Sequence, residues 1–286
     1  MCYNRGLERF SYMQDFESFI IECCAADEWD LRDMLREKLS NAGFLIQEDD
    51  YRSSRRGRYQ EIHNMLAIRG NPRVCLVAHT DVVRDHGFRG EHKRTDPVIK
   101  EVETFKGEKI RIIQDRNCKV QVGGDDRLGV AIGTYIALNS QDDLAMLFTT
   151  DEEICTISAD YVSFPELKEF ELLVQIDRGN QNSDQIVNNI SGVQLCDKRT
   201  ENLLLEIAEK INKPRVLVNG LLTDVLEIKR NNRCKNAVNL TCGYYRSHGP
   251  EEYIIIKKAV ETKQYVEAII TNFAVAENNN ENKNLW

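Results

Sequence analysis

The sequence lacks an excess of positive charge. Its 286 residues carry a formal net charge of −8, whereas a nucleic-acid binder needs a basic face to meet phosphates. Basic residues crowd together only in Arg52-Ser-Ser-Arg-Arg-Gly-Arg58, which reads as a solvated loop, with contact to an acidic partner as the alternative. No apolar run approaches the roughly 18–20 residues of a membrane span. Met1-Cys-Tyr-Asn-Arg-Gly lacks the charged-then-apolar order of a secretory signal. Thiolate chemistry is equally short of support. Nine cysteines are present, but the number is odd, no CxxC pair occurs, and Cys23 and Cys24 are adjacent. Neither a disulfide framework nor a thiolate zinc site is expected. Free thiols in a reducing compartment, and so a cytoplasmic protein, are the expectation.

What is present is 42% hydrophobic and 29% charged residues, an ordinary globular balance in a chain long enough for one large α/β domain or two small ones. Phe16, Phe19, Ile20, Cys23 and Cys24 recur at helical spacing, Leu31, Met34, Leu35 and Leu39 continue it, and Gly43 is placed to end it. Strands are expected at 44–47, 64–68 and 74–78, the last an apolar run suited to burial on both faces. Residues 97–122 alternate around Lys106-Gly107 as a β-hairpin. There follow a helix at 126–138, buried strands at 145–149 and 171–176, and a helix at 199–212. Strands at 215–218 and 237–242 come next, then a final helix running from Pro250 to Phe273. The polar end, 277–286, is expected to fray. This alternation predicts a three-layer α/β/α sandwich around a mixed, mostly parallel sheet.

Four expected boundaries carry metal-binding residue types: Cys75-Leu-Val-Ala-His79-Thr-Asp81, Gly123-Gly-Asp125-Asp126, Leu147-Phe-Thr-Thr-Asp151-Glu152-Glu153 and Leu173-Val-Gln-Ile-Asp177-Arg-Gly179. Each is ordinary alone. A strand-end histidine is more often structural, an acid triplet is usually a solvated turn, and paired aspartates before a helix cap it. Four of them at strand ends, where open α/β sheets bind ligands, point to one crevice. Packed carboxylates repel unless a cation neutralises them. Two imidazoles among carboxylates suit a pair of zinc-like ions better than magnesium or calcium. Such a pair activates water and polarises a carbonyl, and a carboxylate left unligated can then act as general base. Spacing alone does not separate the roles of Glu152 and Glu153, or of Asp125 and Asp126.

Taken together, the segments resemble the M20/M28/M42 clan of co-catalytic metallopeptidases. His79-Thr-Asp81 resembles its HxD signature, and Gly124-Asp-Asp-Arg-Leu-Gly129 its G-x-D-D-[KR]-x-G element. Phe148-Thr-Thr-Asp-Glu-Glu-Ile154 is close to the peptidase T-like base motif, and Asp177 with Gly179 matches Asp-x-Gly. Leu222-Thr-Asp224 and Tyr244-Tyr-Arg-Ser-His248-Gly-Pro-Glu-Glu252 are similar to the clan's C-terminal pieces. The resemblance implies a zinc-exopeptidase fold in which Asp125 bridges two metals. His79 and Asp177 complete one site, and Glu153 and His248 the other. Glu152 is the implied general base, and Asp81 orients the His79 ring. The implied cofactors are two divalent ions, zinc first, with cobalt or manganese as substitutes, and the implied substrate is a peptide or small amide. The activity implied is that of an aminopeptidase on short peptides. The alternative is a carboxypeptidase or N-acyl amino acid amidohydrolase, and the lesser one a non-catalytic binding protein of the same fold.

Three departures stand out. Ile154-Cys155 follow the Glu-Glu pair where the family has glycine, which suggests a different backbone course. Only residues 178–247 separate Asp177 from His248, too few for the lid and dimerisation domain of many M20 members. A single catalytic domain over 1–276 and a monomer are therefore expected. Residues 84–122 are longer than a simple connection, either a hairpin flap over the site or a surface decoration. His63, His86 and His92 are expected at the surface, and Cys155 as a small buried hydrophobe rather than a ligand.

Overall fold

Asp27 divides the amphipathic start of the chain into two helices. Its carboxylate accepts the Asp30 amide at 3.0 Å, an N-cap that separates α1 (Arg5–Ala25) from α2 (Glu28–Asn41). The computed structural model describes residues 5–54, 61–86, 94–180 and 183–281. His92, Arg55, Arg56 and Arg58 of the basic stretch, and the last five residues lie outside that range.

After α2 come β1 (Leu45–Glu48), β2 (Ser53–Ser54), β3 (Glu61–Ile62), β4 (Met65–Arg69) and β5 (Val74–His79). A hairpin of β6 (Pro97–Glu103) and β7 (Lys109–Asp115) precedes α3 (Gly124–Asn139) and β8 (Leu144–Thr149). Next are α4 (Ile157–Tyr161), β9 (Leu172–Arg178), β10 (Gln185–Ile190), β11 (Val193–Gln194) and α5 (Lys198–Lys210). The chain ends with β12 (Val216–Gly220), α6 (Asp224–Arg230), β13 (Ala237–Thr241), β14 (Tyr244–Tyr245), β15 (Tyr253–Ile255) and α7 (Ile256–Glu281).

Nine strands form one sheet in the order β1-β4-β8-β5-β9-β13-β10-β11, with β12 beside β10. Its centre, β8-β5-β9-β13, is parallel, and antiparallel pairings at both margins make it mixed. Alternate residues of the central strands feed two cores. Leu76, Ala78, Met146, Phe148, Val174 and Ile176 pack with Phe16, Leu35, Ile132, Leu204 and Ile269 from α1, α2, α3, α5 and α7. Cys75, Val77, Ala145, Leu147 and Leu173 pack with Ala159 of α4 and with Val225 and Leu226 of α6. Burying each large aliphatic side chain contributes roughly 1.5–3 kcal/mol, so strands covered on both faces read as unbroken apolar runs. The layers are those expected, α/β/α.

Gly129 sets how closely α3 lies on the sheet. A Cβ there would come within 2.3 Å of the Ile176 carbonyl oxygen, so any side chain would push the N-terminus of α3 away from β9.

A second, four-stranded sheet runs β14-β15-β7-β6. It corrects the expected start of the last helix. Tyr253-Ile-Ile255 pair antiparallel with Ile112–Gln114, and α7 begins at Ile256 rather than near Pro250. An isoleucine run gains more from a strand partner and the Ile113 core than from a helix turn. The eight cysteines among the described residues are free, and no helix there is long and apolar enough to cross a membrane.

Candidate metal centre

Because β8, β5 and β9 are parallel neighbours, their carboxyl ends meet along one edge. His79 is the last residue of β5, Asp151-Glu152-Glu153 follow β8, and Asp177 lies near the end of β9. Asp125 enters from the first turn of α3, after Gly123 at φ 86 and through a cis Asp125–Asp126 peptide. His248 comes from the loop between β14 and β15, which the small sheet holds against β7.

Asp125 stands between the two imidazoles. Its Oδ1 is 3.3 Å from His79 Nε2, and its Oδ2 is 3.1 Å from His248 Nε2. His79 Nε2 also lies 3.4 Å from Asp177 Oδ1 and 3.9 Å from Glu152 Oε2. His248 Nε2 lies 3.1 Å from Glu153 Oε2. Two candidate ligand groups result, His79–Asp125–Asp177 and Asp125–Glu153–His248, each with its donor atoms within 4.8 Å of one another. The sequence expectation named these five residues, and the fold brings them together around one shared carboxylate, with Glu152 beside them. In a third group at such distances, Asp81–His86–Asp151, Asp81 faces His86 Nε2 at 2.7 Å and Asp151 accepts from the Tyr51 hydroxyl.

The surrounding bonds aim the donors. His79 Nδ1 sits 3.0 Å from the Asp81 main-chain carbonyl, which can only accept, so Nδ1 carries the proton and Nε2 turns to the carboxylates. The Asp81 carboxylate is farther from that ring, at 3.5 Å. It accepts the amides of Glu152 and Glu153 at 3.2 and 3.1 Å and faces His86 Nε2 at 2.7 Å. Asp177 Oδ2 accepts from Gln175 and Thr223, its amide donates to Asn239, and Oδ1 is left toward His79.

The electrostatics describe a site in want of a cation. Burial pushes Glu152 and Glu153 above the ordinary carboxylate range and Asp177 up to about 7. Hydrogen bonds to Asp125 and Glu153 raise His248 to about 11. For His79, burial alone would lower the pKa, but Asp177, Asp125 and Asp81 outweigh it and the value rises. Asp125, though buried, is held well below the usual range by His248 and His79. Without metal the groups thus neutralise one another with protons, which divalent ions would displace. Glu153 Oε1 is buried with no hydrogen-bond partner among the described residues. Imidazole Nε2 atoms and carboxylate oxygens facing one another, with an orphaned oxygen among them, fit a pair of ions of the zinc class.

Other residues support the site through bonds that spacing alone does not announce. Glu252 is fully buried and accepts the amides of Gly123 at 2.6 Å and Asp125 at 3.2 Å, so it positions the turn that presents Asp125. Asp126 accepts the His79 amide at 3.3 Å. Buried Glu28 of α2 accepts from Thr80 and Thr150, which tie it to the ends of β5 and β8. His86 corrects the surface expectation, since its side chain is 5% exposed against Asp81. Cys155 is corrected in the opposite sense. It is exposed and lines the cleft, and its φ of 77 is the left-handed conformation that a glycine adopts without strain. The backbone therefore takes a glycine-like course without the glycine. The cleft is a cavity of about 450 Å³ holding Asp125, Glu152, Glu153, Asp177 and His248.

No protein-family model matches the sequence, and no curated protein matches it at a significant level. Solved structures do. Aminopeptidase PepT from Bacillus cereus superposes with a TM-score of 0.69 at 14% identity, over 90% of this chain and 98% of its own. A tripeptidase from Staphylococcus aureus gives 0.64 at 13%, over 90% and 97%. The Pyrococcus horikoshii TET1 peptidase gives 0.59 at 11%, over 90% and 99%, and that protein assembles into a tetrahedron or a large octahedral shell. The fold therefore does not by itself carry the monomeric state expected from the sequence. At such identities the likeness shows the fold alone: the chain has the architecture of these peptidases, and buried His and Asp groups in it are candidate metal ligands.

Proposed function

We propose that the chain is a two-metal exopeptidase, an aminopeptidase acting on short peptides through a single catalytic domain without a separate lid. The observation that carries this reading is Asp125 facing His79 with one oxygen and His248 with the other. In it, His79, Asp125 and Asp177 hold one ion, Asp125, Glu153 and His248 hold the second, and zinc is the expected metal. When bound, such ions lower the pKa of a water and polarise the scissile carbonyl.

The chain's own residues then do the rest. Glu152 lies beside His79 of the first group, at 3.9 Å, and its burial raises the pKa of its carboxyl, which suits a base that takes a proton from water and returns it to the leaving amine. Asp81 fixes the amides of Glu152 and Glu153 and, through its carbonyl, the His79 ring. The surrounding carboxylates favour a substrate's protonated α-amine.

The test is hydrolysis of leucine p-nitroanilide by protein loaded with zinc, cobalt or manganese. Glu152→Gln should lower kcat by roughly 10²–10⁴-fold while leaving metal content nearly unchanged. Activity surviving that change would remove Glu152 from the role of base. Failure of the loaded protein on every free-amine substrate would remove the aminopeptidase reading.

A further inference from the structure

Among the described residues, Arg178 in the cleft has no acid to pair with. Arg178 follows Asp177 at the end of β9, where the register with β13 shifts between Asn239 and Thr241, an irregularity of the kind that re-aims side chains. Its Nε donates to Gln185 Oε1 at 2.6 Å, which fixes the guanidinium plane. Among the described residues no carboxylate lies within ion-pair distance of it, and Asp177 and Tyr244 act on it only at longer range. Arg178 lines the same cavity as the candidate metal ligands, together with the apolar Val187, Leu221 and Leu222.

A half-buried arginine loses solvation, and one neutral hydrogen bond to Gln185 offsets less of that loss than a carboxylate would. Its planar fork matches a carboxylate with two parallel hydrogen bonds. The apolar walls suit the methylenes of a side chain.

We propose that Arg178 binds a carboxylate of the substrate, so that the cleft prefers acidic over isosteric neutral substrates. The carboxylate comes either from the side chain of an N-terminal acidic residue or from the C-terminus of a dipeptide. The inference rests on the peptidase reading for the bond cleaved, but not for the binding.

Two matched pairs separate the sources. Glutamate and glutamine p-nitroanilides differ only in the side-chain carboxylate, and Leu-Gly and Leu-Gly-amide differ only in the terminal one. One pair should show at least a tenfold preference in kcat/KM for the acid, carried mainly by KM, and Arg178→Gln should bring that ratio close to one. Arg178→Lys should restore part of it. Calorimetric titration of metal-loaded protein with L-glutamate against L-glutamine, and with Leu-Gly against its amide, reads the same discrimination without turnover. Absence of preference in both pairs, by rate and by binding, overturns the proposal. So does a preference that persists in Arg178→Gln. If leucine p-nitroanilide is not cleaved but the binding ratio stands and falls with Arg178, the peptidase reading fails and this one holds.

Discussion

Replacing Glu252 with alanine removes an acceptor shared by two buried amides. Gly123 and Asp125 donate to its two oxygens at 2.6 and 3.2 Å. Each buried N–H left unsatisfied costs about 1–3 kcal/mol. Part of that is offset, because the acid is itself uncomfortable there: burial, and then Asp125, push it up to about 8. The net loss of folding stability should be about 2–4 kcal/mol. Metal affinity should fall roughly 10–100-fold, as for other groups that orient a ligand from behind, because the freed turn no longer presents Asp125. Glu252→Gln keeps one acceptor and should lose about half as much stability. Urea unfolding of metal-stripped protein measures the first quantity, and zinc competition against a chelator the second. A Glu252→Ala protein with the wild-type midpoint, or with unchanged zinc affinity, refutes the reasoning.

Two further predictions concern protons and the Asp81 anchor. In metal-stripped protein Asp177, Asp224 and Glu252 are raised to about 7, 6 and 8, and His248 to about 11. The folded state then binds more protons than the unfolded one between about pH 4 and 8, so stability must fall as pH rises through that window. Saturating zinc should reverse the trend, and urea midpoints at pH 5 to 8 with and without metal would show it; a rise with pH in the stripped protein would sink the idea. Asp81→Ala should weaken binding of both ions, because it frees the amides of Glu152 and Glu153 as well as disturbing the turn at His79. Metal stoichiometry by elemental analysis checks this, and a loss confined to one ion would contradict it.

The parallel centre was legible because strands covered on both faces must be apolar throughout, as in Val74–Ala78 and Leu144–Phe148. β10 was not, since Gln185, Asn188 and Asn189 break its pattern while their side chains bond to Arg178, Glu201 and Gln194. β15 was absorbed into the following helix because an apolar run of three reads equally well either way. In the site, His79, the Asp125–Asp126 pair, the Asp151–Glu153 triplet and Asp177 were visible at element ends, whereas His248 and the choice of Asp125 and Glu153 within their runs came from the family resemblance. Glu28 acts through hydroxyls distant in sequence and His86 through a loop turn, which no spacing rule announces; Glu252 stood in the C-terminal motif, but its bonds to the Gly123 and Asp125 amides did not show there.

The shared position of Asp125 has a consequence for biosynthesis. It lies 46 residues after His79 and 123 before His248. A chain leaving the ribosome can pair β5 with β8 and β9 long before the β14–β15 loop has been made. Domains tend to consolidate as they emerge, yet here the second ligand group lacks its histidine until the last helix is about to form. On the proposed chemistry a nascent chain is hydrolytically silent, and completion of the fold is what switches it on.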